Sequence, residues 1–273
     1  MSKIKALGTS LSKFTYQCSQ DSEPKSTNLL THNAKMAKTY LETGVFIVGL
    51  ELISGKIEGL TTCPTATRLN LDCQKPGNCV KNAGNGRFSS VELARLRRTE
   101  FLRDNRKFFW SSVKFEIKRL AKIAAASGVK IAVRGNTFSD LPQWESIARS
   151  FPDLVFFDYT KEQARFERSI GIKASAKTWP KNYFLTYSAH EKSNDSKMAS
   201  YLEAGGNISF LYRAKKVPGS IKIAWRETQA VDGDRSDLRL PELDGTGVAV
   251  ALKGKAGMNK LENKGSKFLR IVE

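Results

Sequence analysis

The sequence predicts an α/β fold with mostly parallel strands, rolled into a complete or partial (β/α) barrel, and three observations lead there. After Gly128, runs rich in β-branched and aromatic residues alternate with short helical stretches closed by glycine or preceded by capping residues, the pattern of parallel βαβ units. About six strand-like runs follow one another along 273 residues, close to the ~250 residues a (β/α) barrel needs. Each run ends on a charged or hydrogen-bonding residue, as the rim of a parallel sheet requires. An open, doubly wound sheet is the alternative architecture.

The elements follow in order. Residues 1–42 are polar and mixed and form a loosely structured N-terminal segment, leaving 43–273 as a single α/β domain. "GVFIVGLELISG" (44–55) reads as the first strand, and a cysteine-bearing loop comes after it. The stretch from Ser89 to Gly128 opens with Ser89 and Glu92 at capping-box spacing. Its apolar residues Val91, Ala94, Phe101, Phe109, Val113, Ile117 and Leu120 recur at helical intervals, giving one long basic helix or two with a break near Ser111–Ser112. "VKIAVRGN", "DLVFFDYTK", "NYFLTYSAHE", "NISFLYRAKK" and "TGVAVALKGK" are the later strands. Between them lie the helical "SDLPQWESIARSF", with Ser139 or Asp140 as cap, then "EQARFERSI" and "NDSKMASYLEAGG".

Charge sets the partner class. The chain holds 45 Lys+Arg against 27 Asp+Glu, a formal net charge of +18. Such an excess repels itself, and its usual complement is a polyanion, so nucleic acid or a nucleotide-bearing substrate is the expected partner. Arg95, Arg97, Arg98, Arg103, Arg106 and Lys107 crowd the predicted helix beside Phe108, Phe109 and Trp110. Cations there would neutralise phosphates while aromatics stack on bases. Arg87, in the glycine-rich "GNGRF" just before that helix, fits a weak anion nest. No apolar run is long enough for a membrane span and no secretory signal is visible, so a cytoplasmic protein with reduced thiols is expected.

The strand ends supply further candidates. Arg134 and Asn136 close one strand and join the nucleic-acid set. Asp158 and Lys161 close the next, and His190 stands beside Glu191 after a third. An imidazole oriented by a carboxylate does acid–base work, which makes His190, Glu191, Asp158 and Lys161 the catalytic candidates. "VDGDRSDLR" carries Asp232, Asp234 and Asp237, but without the glycine position and closing glutamate of a calcium loop; ion pairs are the favoured use.

Cys63, Cys73 and Cys79 lie in one short loop at spacings of nine and five residues. That is not zinc-ribbon spacing, yet three thiolates in one loop suit zinc or an iron–sulfur cluster with an open position. Inert buried thiols are the competing reading. "TCPTATRLNLDCQKPGNCVKNAGNGRF", with "RRTEFLRDNRKFF", "VRGNTFSD", "FFDYTK", "NYFLTYS" and "VDGDRSDLR", resembles a family of bacteriophage-encoded proteins, the gene product 88 group of mycobacteriophages. The resemblance runs from about residue 44 to 255 and implies a phage protein working in the host cytoplasm, during replication or takeover. The cysteine-first layout also resembles radical S-adenosylmethionine enzymes, though the spacing departs from theirs. That second resemblance implies a metal- or iron–sulfur-dependent enzyme acting on a nucleotide-type substrate.

Overall fold

The computed structural model describes residues 29–75, 78–79, 88–173, 178–212 and 216–254. Its strands are β1 (Leu30–Thr31), β2 (Val45–Leu50), β3 (Lys56–Ile57), β4 (Leu60–Thr61), β5 (Lys130–Arg134), β6 (Val155–Thr160), β7 (Tyr183–Ser188), β8 (Asn207–Tyr212), β9 (Ser220–Ile223), β10 (Arg226–Asp232) and β11 (Ala249–Lys253). The helices are α1 (Ala34–Thr43), α2 (Pro64–Arg68), α3 (Ser89–Asp104), α4 (Arg106–Ala126), α5 (Trp144–Ser150), α6 (Gln163–Ser169), α7 (Asp195–Glu203) and α8 (Pro241–Asp244).

Among the described residues nine strands form one sheet in the order β1-β2-β5-β6-β7-β8-β11-β10-β9, and β3 and β4 form a separate hairpin. From β2 to β8 the strands lie side by side in chain order, and every pairing from β2 to β10 is parallel. The strands expected at 131–133, 155–157, 184–186 and 209–211 are therefore parallel neighbours. A closed barrel, in contrast, is not formed among the described residues. Closure requires the two end strands to pair, and here each end is finished by an antiparallel partner, β1 on β2 and β9 on β10. Nor does the order reverse between β2 and β8, as it would in a doubly wound sheet.

Winding in one direction puts the crossover helices α4, α5, α6 and α7 on one face. Phe46, Val48, Ile131, Val133, Phe156, Tyr183, Leu185 and Ile208 share a core with Phe109, Val113 and Ile117 of α4, Trp144 and Ile147 of α5, Phe166 of α6 and Tyr201 of α7. Alternate strand residues, Ile47, Ala132 and Phe157, pack on the opposite face against Met36 of α1 and Leu238. Buried on both sides, such strands read as continuous apolar runs. Among the described residues no helix is long and apolar enough to cross a membrane.

Local details depart from the sequence reading. Residues 34–43, within the loosely structured segment, are a helix capped by the Asn33 side chain, with Met36 fully buried. The long basic segment breaks at Asn105 (φ −135°, ψ 54°), not near Ser111–Ser112, and Ser112 is buried inside α4. Ser89 is the first residue of α3 and caps nothing; the N-cap position is Phe88. Ser139 and Asp140 precede α5 by several residues and brace the β5–α5 loop instead. Gly135 is required there: a Cβ would lie 2.3 Å from the buried Trp144 ring.

Candidate functional site

A cavity of about 850 Å³ opens over the carboxyl ends of the parallel strands. Arg134, Tyr159, Ser188 and Ser209 project into it from β5, β6, β7 and β8. Ser54, Cys63, Cys73 and Cys79 close it from the loop after β2, and Arg95 and Arg98 reach it from α3. The volume falls within the range of small-molecule and cofactor sites.

The polar frame is tied together by pairs that span distant segments. Arg95 binds Glu51 through Nε and Nη2 at 3.1 and 3.0 Å, and Asn33 donates to the other Glu51 oxygen at 3.2 Å. Arg134 forms a two-oxygen contact with Asp237 at 2.7 and 2.8 Å, and Lys35 lies 3.4 Å from the same carboxylate. Burial opposes the charge of Asp237, but Arg134 and Lys35 hold its pKa below the usual carboxylate value. The "VDGDRSDLR" aspartates thus serve ion pairing and turns: Asp232 accepts from the Asp234 N–H, and Asp234 from the Lys253 N–H. Asp237 pairs with Arg134 and Lys35, while Arg239 pairs with Asp244.

The catalytic candidates separate. Asp158 is fully buried on the helix-facing side of β6 and accepts from the Asn136 N–H (2.6 Å), Asn136 Nδ2 (3.2 Å) and Tyr183 hydroxyl (2.7 Å). Burial raises its pKa to about 6 against the pull of those donors and of Arg165. It orients Asn136, whose own amide holds Leu141 and Ser139 in the loop. His190 is outside the cavity lining: Nδ1 accepts from the Lys192 N–H at 3.2 Å, which leaves the proton on Nε2, 3.3 Å from the Tyr187 hydroxyl. Burial, with Lys161 and Lys192 adding to it, lowers its pKa to about 4. Glu191 does not orient the imidazole; its Oε1 accepts from the Asp72 N–H at 2.6 Å. Lys161 alone of the four faces the cavity, its Nζ 2.5 Å from the Ser188 hydroxyl.

The three cysteines gather round one cavity. Ser54 Oγ lies 3.4 Å from Cys63 Sγ and 3.2 Å from Cys79 Sγ, and Cys63 Sγ is 3.6 Å from the Phe138 carbonyl. Gln74 Nε2 stands 3.9 Å from Cys73 Sγ. Burial pushes the Cys63 thiol up to about 11, and raises Cys73 against the opposing pull of Lys161. Among the described residues no three Cys, His, Asp or Glu side chains converge as a metal-holding group.

The basic helix proves to be two surfaces. Arg95 and Arg98 turn inward to the cavity, Arg103 pairs with Asp104 at 2.6 Å, and Arg97, Arg106 and Lys107 are exposed. Arg87 and the residues before it in that glycine-rich stretch lie outside the described residues. Ser54 and Ser209 are lining residues that the sequence reading does not single out. The signal for Ser209 is a lone serine inside the run "NISFLY".

No curated protein and no solved structure matches the chain. Residues 26–269 match the family described as Gene product 88. With nearly the whole length matched, from ahead of β1 to beyond β11, the chain belongs to the Gene product 88 family of phage gene products.

Proposed function

We propose that this phage protein takes a nucleotide-type anion into the strand-end cavity and acts on it there, as part of the phage's handling of nucleic acid in the host cytoplasm. The observation that carries this reading is the cavity's position and lining: about 850 Å³ over the carboxyl ends of parallel strands, with Arg98, Arg134, Lys161 and Lys253 among its walls. In open parallel sheets that is where ligands bind. Arg134 is neutralised by Asp237 and serves the frame. Lys161 meets a hydroxyl and no carboxylate among the described residues, so its charge is available to a ligand. The neutral thiols of Cys63 and Cys73 supply a soft, weakly polar wall beside it.

A thermal-shift panel tests the reading. Nucleoside mono- and diphosphates and short oligonucleotides should raise the melting temperature by about 5 °C at ligand concentrations ~100 times Kd, and neutral nucleosides should not. No response to any phosphorylated ligand would overturn it. A second reading is supported by a separate observation: Arg97, Arg106 and Lys107 are exposed and have no ion pair among the described residues. These cations suit the backbone of a longer nucleic acid whose terminal or unstacked nucleotide enters the cavity.

A further inference from the structure

Three neighbouring strands carry a row of hydrogen-bond donors where they border the cavity, just past the end of β6, at the end of β7 and within β8. Ser188 and Ser209 are direct register partners on β7 and β8, and both line the cavity. On β6 and β7, Thr160 pairs with Tyr187, so Lys161 stands one step further along, level with Ser188. The three side chains therefore form a line across the sheet, Lys161–Ser188–Ser209, along the cavity lining.

Their bonding is unfinished in one direction only. Lys161 Nζ has three protons and gives one to Ser188 Oγ, 2.5 Å away. Ser188, having accepted, keeps its own O–H, and no described group receives it. Ser209 reaches its one acceptor, the Tyr187 carbonyl, at a long 3.4 Å. The carboxylate nearest in the hydrogen-bond network, Asp140, is already occupied: it takes the Lys161 backbone N–H at 2.9 Å and the Arg165 guanidinium. An ammonium and two hydroxyls that offer protons into a cavity, with the local carboxylate committed elsewhere, form a site for an oxyanion.

We infer that Lys161, Ser188 and Ser209 form the phosphoryl subsite of the cavity, holding a terminal phosphate of the bound nucleotide. This rests on the cavity reading proposed above and adds which end of the ligand goes where. Lys161 supplies the charge, Ser188 is held by Lys161 in the rotamer that turns its proton to the ligand, and Ser209 releases its long carbonyl contact for a shorter one. The rest of the ligand then extends toward Ser54 and the cysteines.

The probes are inorganic phosphate and pyrophosphate, titrated calorimetrically at fixed ionic strength, with acetate as the carboxylate arm. Wild-type protein should bind pyrophosphate more tightly than phosphate, and acetate weakly or not at all. Lys161→Met, which keeps the aliphatic stem, should weaken pyrophosphate binding at least 10-fold, Ser188→Ala several-fold, and Lys161→Arg should restore part of the loss. Lys118→Met, at an exposed position on α4 away from the cavity lining, controls for loss of general positive charge and should change nothing. Melting curves confirm that each variant is folded. Undiminished pyrophosphate binding by folded Lys161→Met and Ser188→Ala overturns the subsite; if that protein still responds to nucleotides, the cavity reading survives alone. Binding of acetate in preference to phosphate overturns the phosphoryl assignment, and a wild-type protein that binds none of the probes or nucleotides takes both readings down.

Discussion

Asp158→Ala is expected to be among the most damaging single substitutions in this protein, and to act on stability before it acts on any ligand. The carboxylate is fully buried and receives three donors: the Asn136 N–H at 2.6 Å, its Nδ2 at 3.2 Å and the Tyr183 hydroxyl at 2.7 Å. Alanine leaves at least two of these donors buried without a partner, each costing about 1–3 kcal/mol, and opens a small void besides. The sum is about 3–5 kcal/mol, against a total of about 5–15 kcal/mol for a typical domain. Asp158→Asn keeps the shape and the acceptor facing the Asn136 N–H, but turns an amide donor toward Asn136 Nδ2 and Tyr183, and should cost about 1–2 kcal/mol. Urea titration followed by circular dichroism reads both as shifts of the midpoint at constant slope. An Asp158→Ala protein within about 0.5 kcal/mol of wild type would refute the reasoning, and would return Asp158 to the groups that face a substrate.

Acid should test His190 and Asp158 against each other. His190 is lowered to about 4, so its contribution is complete above pH 6.5 and is lost as pH falls toward about 4. Asp158 is raised to about 6, so its contribution is complete below 3.8 and is lost as pH rises through about 6. The two oppose one another between pH 4 and 6, and His190→Asn should gain stability relative to wild type as pH falls through that window; a constant difference between the two melting profiles would contradict the assignment. Converting Arg97, Arg106 and Lys107 together to glutamine should leave the melting temperature unchanged. It should flatten the salt dependence of nucleic-acid binding by about 0.7–0.9 for each phosphate that is no longer neutralised, whereas an unaltered slope would remove this surface from the second reading. Alkylation at pH 8, followed by peptide mass spectrometry, should label Cys63 more slowly than Cys73 or Cys79, since Cys63 is buried with its thiol at about 11. Equal rates would contradict the burial of Cys63.

The parallel core is legible because its strands are buried on both faces, so "KIAVR", "VFFDYT" and "NISFLY" announce themselves as apolar runs bounded by turn residues. Openness is not, because closure depends on how the two end strands pair, and nothing local in β1 or β9 records that choice. The break at Asn105 is masked by continuous helical spacing on both sides of it. At the site, sequence position marks Arg134, Asn136 and Lys161 as strand-end residues but does not tell which face each takes. Asp158 and Lys161 lie three residues apart, and one turns to the helices while the other turns to the cavity. His190 and Glu191 look like a pair because they are adjacent in sequence. Their partners, Tyr187 and Asp72, come from the preceding strand and from the cysteine loop.

The place of β11 has a consequence for the order in which the chain can assemble. Every strand from β5 to β8 adds to an open edge as it is made, each beside the one before. The β9–β10 hairpin breaks that sequence, because the strand between it and β8 has yet to be synthesised. Until Ala249–Lys253 emerges and takes both neighbours in parallel register, the hairpin has no backbone partner in the sheet. β11 is thus the wedge that locks the far third of the sheet to the rest, and its contacts, long in sequence, form late. A chain ended before residue 249 should keep the β2–β8 sheet protected from hydrogen exchange and lose protection throughout 220–232.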